Sequence, residues 1–286
     1  MPFAHDYALP VRTLWRWIQQ APDPFRGRAA GAREAPQASG NAGDVSAYLS
    51  GFHAGLGQRC YHKAQSLLLQ LYCNLYIERD IRQLSGTIDA VEFLRFLTAV
   101  ACRAGQMVNY ADIGNDMDSM RSEKAQEWLG LLEKSDIIFY LHPYSNNLLK
   151  RTVTKPKLYF YDTGLVTYLT KWTSAETLEA GAMNGAILEN YTVAEIVKSY
   201  LNAGEEPNLF YYRDNDAKEI DIVMEADGEL HPMEIKKTAN PGTQLTRPFR
   251  LLDKGAVKRG KGAILCMKDQ LSALDSQSLI VPIWAI

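Results

Sequence analysis

The stretch Glu219-Ile-Asp-Ile-Val-Met-Glu-Ala-Asp-Gly-Glu-Leu-His-Pro-Met-Glu-Ile-Lys236 decides the fold. Asp227-Gly228 separates two apolar-rich runs and is the strongest short-range hairpin signal in the chain. In a two-residue loop, facing positions sum to a constant. Ala226 then faces Glu229, and Asp221 stands opposite Glu234. Two carboxylates facing each other across strands destabilise a sheet. A divalent cation between them turns that cost into a binding site, and Mg²⁺ takes one or two carboxylates plus waters and phosphate oxygens. Lys236 lies two residues beyond Glu234 and projects from the same face, while Ile235 points into the core. A lysine beside a metal orients the attacking water or neutralises charge developing on a phosphate. The bland alternative is a structural ion-pair cluster, in which the same register pairs Glu219 with Lys236.

Working outward, residues 186–202 carry helical periodicity. Glu189 shares a face there with Ala186, Val193, Ile196, Val197 and Tyr200. An acid in an apolar stripe costs free energy unless it is paired or metal-bound, so Glu189 is the third candidate acid. A strand is expected over 209–213, with further strands over 219–225 and 229–237. A helix near 246–254 follows, then strands over 263–267 and near 279–283. This order predicts an α/β domain with a mixed sheet over residues 181–286. Arg247, Arg250 and Lys254, continued by Lys258, Arg259 and Lys261, form a basic group on the helix after the lysine-bearing strand. Solvated surface is its default reading; a phosphate backbone beside the metal is the functional one.

Residues 67–180 read as a helical region. Helices are expected over 67–84 and 89–105, the second with Val91, Leu94, Leu97, Thr98 and Ala101 on one face. Asn109 caps a short helix with an acid at its third position, and Ser122 caps another running through Lys134. The latter carries Ala125, Trp128, Leu129 and Leu132 on one face. Strands over 137–141 and 157–161 flank the polar loop Pro143-Tyr-Ser-Asn-Asn147. Three helices followed by a two-stranded ribbon is the winged-helix pattern. Residues 1–66 differ: they lack Lys before Lys63 and are rich in Ala and Gly. They read as a mostly irregular remnant upstream of an intact region.

Composition excludes several classes. The formal net charge of −2 is not that of a generally basic polyanion binder. Cys60, Cys73, Cys102 and Cys266 are scattered, which excludes a zinc ribbon and fits a reduced, cytoplasmic setting. No run approaches the roughly 18 apolar residues of a membrane span, and no secretory leader is visible. The five histidines show no metal-ligand spacing. Strand alternation puts His231 on the face opposite Glu234. Asp162-Thr-Gly164 matches the aspartic-protease triplet, but a single copy before an apolar helix suits an N-cap.

The runs Leu131-Leu-Glu-Lys-Ser-Asp-Ile-Ile-Phe, Pro143-Tyr-Ser-Asn-Asn147, Lys157-Leu-Tyr-Phe-Tyr-Asp-Thr-Gly-Leu165, Glu189-Asn-Tyr, Tyr212-Arg-Asp, Glu219-Ile-Asp221 and Glu234-Ile-Lys236 closely resemble one prokaryotic family. It is the domain of unknown function that follows the ATPase module in many bacterial and archaeal AAA-type ATPases. The resemblance covers residues 72–286, and the motifs stand in the same order. It implies a C-terminal unit similar to PD-(D/E)xK nucleases, with Glu189 as the helix acid, Asp221 as the strand acid, and Glu234 and Lys236 as the ExK pair. The chain departs from the family in carrying no Walker A motif, so no ATP is expected through a P-loop.

The expected fold class is α+β: a helical winged-helix-like region, then an α/β nuclease-like domain with a mixed sheet. The expected function is DNA phosphodiester hydrolysis with Mg²⁺. Asp221 and Glu234 would hold the metal, Glu189 and Lys236 would assist, and Arg247, Arg250 and Lys254 would contact nucleic acid. The alternatives are a non-catalytic DNA- or protein-docking module of an ATPase, or a truncated derivative without activity. DNA and an ATPase or other protein are the expected partners, with no membrane.

Overall fold

The computed structural model describes residues 88–118, 120–145, 154–172 and 174–286. The expected helix over 67–84, the segment 1–66, and Asn146 and Asn147 lie outside the described residues. The fold is α+β, with helices and a mixed sheet. The chain forms two compact units. Among the described residues one comprises 88–141 and 155–194, and the other 142–145, 154 and 195–286.

In the first unit, helix α1 (Ala90–Ala101) starts where Asp89 accepts hydrogen bonds from the amides of Val91 and Glu92, at 2.9 and 2.8 Å. Such a cap contributes about 1 kcal/mol. The helix buries Phe93, Phe96, Leu97, Val100 and Ala101. Its apolar face is therefore rotated from the expected one, and Val91 is 70% exposed. The aromatic residues set the rotation: Phe93 and Phe96 pack on Trp128, with ring centroids 5.1 and 5.2 Å apart. Rings bury more apolar area than Val91 would.

Helix α2 (Tyr110–Asp116) begins at Asn109, which accepts from the Ala111 amide, as its sequence predicts. Helix α3 (Ser122–Lys134) buries the expected Ala125, Trp128, Leu129 and Leu132. Its cap differs from expectation. Ser122 is already helical, and Arg121 precedes it without a side-chain capping bond. The α2–α3 turn closes tightly, with Met120 donating its amide to the Gly114 carbonyl at 3.0 Å. A Cβ at Gly114 would lie 2.3 Å from the Met120 carbonyl oxygen, so the turn requires glycine.

Strands β1 (Ile138–Leu141) and β2 (Lys157–Phe160) then pair antiparallel, from Ile138 opposite Phe160 to Leu141 opposite Lys157. The far side of β2 is bonded by residues 105–108: Gly105 N–H donates to the Leu158 carbonyl and Leu158 N–H to the Gln106 carbonyl. Helix α4 (Thr163–Leu169) starts at Asp162, whose carboxylate accepts from the amides of Gly164 and Leu165. The Asp-Thr-Gly triplet is thus an N-cap. Helix α5 (Ala175–Ala180) follows. The chain passes to the second unit within helix α6 (Asn184–Asn202).

The second unit is built on strands β3 (Leu209–Arg213), β4 (Glu219–Ala226), β5 (Glu229–Lys236), β6 (Lys258–Arg259), β7 (Gly262–Cys266), β8 (Ser272–Ala273) and β9 (Ser278–Pro282). Their order is β3-β4-β5-β7-β9-β8, with β6 also paired to β5. The β3–β4, β4–β5 and β8–β9 ladders are antiparallel; β5–β7 and β7–β9 are parallel. The helix expected near 246–254 is a 3₁₀ helix, Thr243–Lys254, with Pro248 inside it. Proline lacks the amide proton that an α-helical ladder needs. Phe249 and Leu252 of this segment pack with Ile220, Val223, Leu230, Ile264, Cys266 and Ile280 of the sheet. Burying those two side chains contributes about 1.5–3 kcal/mol each.

Candidate active site

The hairpin closes as its sequence requires. Asp227 and Gly228 both have positive φ, +52° and +76°, the conformation of the two-residue turn that matches strand twist. The β4–β5 register runs from Ala226 opposite Glu229 to Ile222 opposite Met233. The next positions are Asp221 and Glu234, and there the ladder stops. There the Ile235 amide donates to Asp221 Oδ2 at 2.8 Å.

A β-bulge on the other edge of β4 explains the interruption. Phe210 pairs with Val223 and Tyr212 with Ile220, so Tyr211 alone stands against both Asp221 and Ile222. Such a bulge re-aims a side chain and ends regular pairing. Asp221 thus sits on the bulge, beside the end of the β4–β5 ladder. Glu219, two residues earlier on β4, accepts from Arg213 at 2.8 Å.

Three of the four expected catalytic residues come together. Lys236 Nζ lies 2.8 Å from Glu234 Oε1 and 3.9 Å from Asp221 Oδ2. Asp221 and Glu234 are each only 8% exposed, while the Lys236 side chain is 42% exposed. Two nearly buried carboxylates on adjacent strands thus converge on one ammonium that reaches solvent. Removing such acids from water is costly unless cations and hydrogen bonds compensate. All the donors are hard oxygens, which suit Mg²⁺. Among the described residues, no group of three or more His, Cys, Asp or Glu side chains is gathered as a metal site.

Glu189 belongs to the other unit. Its carboxylate accepts from Lys157 Nζ at 2.9 Å and from Tyr159 Oη at 2.7 Å. The Lys157 side chain is 5% exposed and that of Glu189 20%. The neighbouring Asn190 bonds both the amide and the carbonyl of Phe160, so α6 is stitched to β2 by consecutive polar residues. Sequence reasoning missed these partners of Glu189. Their two-residue spacing on a strand was the available signal, since it puts Lys157 and Tyr159 on one face.

His231 is buried, with Nδ1 2.9 Å from the Lys261 carbonyl oxygen. Burial pushes its pKa below the usual 6.5, against the opposing pull of that carbonyl and of Glu229. Of the basic group, Arg259 bonds Asp253 at 2.6 Å and Lys258 bonds Glu229 at 2.5 Å. Arg247, Arg250 and Lys254 are exposed.

Comparison with known proteins matches two stretches of the chain to domain families of unknown function. Residues 57–176 match a domain of unknown function, DUF8612, and residues 184–286 match another, DUF4143. An uncharacterized protein of Mycobacterium bovis is 29% identical over 183 residues, covering 64% of this chain and 40% of that protein. An uncharacterized protein of Mycobacterium tuberculosis gives the same values. The chain therefore spans about two fifths of the length of these curated relatives. No solved structure matches it significantly. Among the described residues, no helix is long and apolar enough to cross a membrane.

Proposed function

We propose that the sheet unit is a divalent-metal-dependent phosphodiester hydrolase acting on DNA. The observation that carries this reading is the convergence of buried Asp221 and Glu234 on Lys236, where a bulge breaks the β4 ladder. Asp221 and Glu234 would hold Mg²⁺, which when bound supplies Lewis acidity and an activated water. The chain's own residues do the remaining work. The Ile235 amide fixes one Asp221 oxygen, so that carboxylate is oriented before any ligand arrives. Lys236 reaches solvent from between the acids and neutralises charge developing on a phosphate. Glu189 accepts from Lys157 and Tyr159, a pairing that holds its helix to β2. The resemblance to modules that follow AAA-type ATPases extends the reading to an ATPase partner and a cytoplasmic setting.

The test is to incubate the purified chain and its Asp221→Ala variant with supercoiled and linear DNA, in Mg²⁺, Mn²⁺ or EDTA. Metal-dependent nicking by the parent that the variant lacks is the expected result. DNA binding without nicking in either metal would replace the hydrolase by a docking module.

A further inference from the structure

The basic residues after β5 are not equivalent. Arg259 and Lys258 are taken by Asp253 and Glu229. Arg247, Arg250 and Lys254 form no ion pair among the described residues. All three ride one 3₁₀ helix, in which residues three apart eclipse one another. Phe249 and Leu252, 1% and 2% exposed, fix which side faces the sheet. Arg247 and Arg250 then share one outward row. Lys254 lies a third of a turn away, in line with Pro248 and Leu251. In an α-helix the three would share a face; the 3₁₀ geometry separates them.

Two further observations give this row a ligand. A rise of about 2 Å per residue sets the two arginines roughly 6 Å apart along the segment. Each strand of a duplex carries a charge for about every 3.4 Å of helix axis, so the two arginines span one to two phosphate steps, and their long side chains reach neighbouring phosphates. A guanidinium fork also suits a phosphate better than a point charge does. The row also stands on the element that covers the acids' side of the sheet. Leu230 of β5 packs with Phe249 and Leu252, and Pro232, Glu234 and Lys236 follow it at two-residue steps.

We propose that Arg247 and Arg250 hold neighbouring phosphates of one nucleic-acid strand, and that Lys254 has no part in this. The inference rests on the phosphodiesterase reading and adds to it which of the three basic residues grip the strand. The test is anisotropy titration of a labelled single strand and of its duplex by the full chain, in EDTA, between about 50 and 200 mM salt. Each arginine-to-alanine change should lower the slope of log affinity against log salt by about 0.7–0.9, and Arg247→Ala/Arg250→Ala by twice that. Arg→Lys at both positions should keep the slope, and Lys254→Ala should leave it unchanged. An unaltered slope in the double alanine variant would overturn the inference, as would an equal loss in Lys254→Ala. Binding in EDTA needs no cleavage. An arginine-dependent slope without nicking would therefore keep the row and discard the hydrolase.

Discussion

Replacing Lys236 with Met removes the ammonium 2.8 Å from Glu234 and 3.9 Å from Asp221 but keeps an apolar stem of similar length. The cost follows from burial. Breaking a fully buried pair costs about 3–5 kcal/mol, whereas an exposed one costs at most about 1 kcal/mol. Here the acids' side chains are 11% and 10% exposed and the lysine 42%. An intermediate loss of about 2 kcal/mol is expected, or roughly 4–8 °C in melting temperature for a chain of this size. The two carboxylates then face each other without that ammonium. A divalent cation should relieve their repulsion more in the variant than in the parent. At a hundredfold excess over its dissociation constant, a metal adds about 2.7 kcal/mol. Thermal melts in EDTA and in Mg²⁺ would show a larger Mg²⁺-induced rise for Lys236→Met than for the parent, and little rise for Asp221→Asn. Equal Mg²⁺ responses in all three proteins would refute the metal site.

Two other outcomes follow from buried groups. Glu189→Gln leaves Lys157 charged and almost fully buried, so about 3 kcal/mol of stability should be lost by urea titration. The matching change at half-exposed Glu92, partner of Lys124, should cost less than about 1 kcal/mol. His231 is buried with its pKa depressed, so the folded state resists its protonation while the unfolded state accepts a proton near 6.5. Its contribution is complete above pH 6.5 and is lost as the pH falls through that value towards the folded pKa. The loss is at most about 1.4 kcal/mol per pH unit. Urea midpoints between pH 7 and 5 should fall in the parent and fall less in His231→Gln.

Much of the sheet unit was legible because its signals are local. Asp227-Gly228 demanded positive φ at two positions, and the register through Ile222 and Met233 followed by counting. The bulge at Asp221 was not legible, because it depends on how β4 pairs with β3 across a different loop. The two-residue strands β6 and β8 are too short to carry a period. Pro248 was a visible warning against an α-helix over that segment. The rotated face of α1 was set by Phe93 and Phe96 meeting Trp128, a contact across 32 to 35 positions that no window of α1 contains. In its own helix Glu189 shows only as an acid in an apolar stripe that needs a partner or a metal, since its partners lie about 30 residues upstream.

The extra residue in β4 shifts the phase of that strand. Ile220 and Val223 are an odd number of positions apart, yet both enter the cluster around Phe249, beside their partners Tyr212 and Phe210. Only the added step at Asp221–Ile222 makes this possible. Restoring even alternation would turn one of those two side chains out of the core. The acid is thereby locked in place by apolar packing on both sides of it, so the strand cannot drift to a smoother pairing without first surrendering buried area.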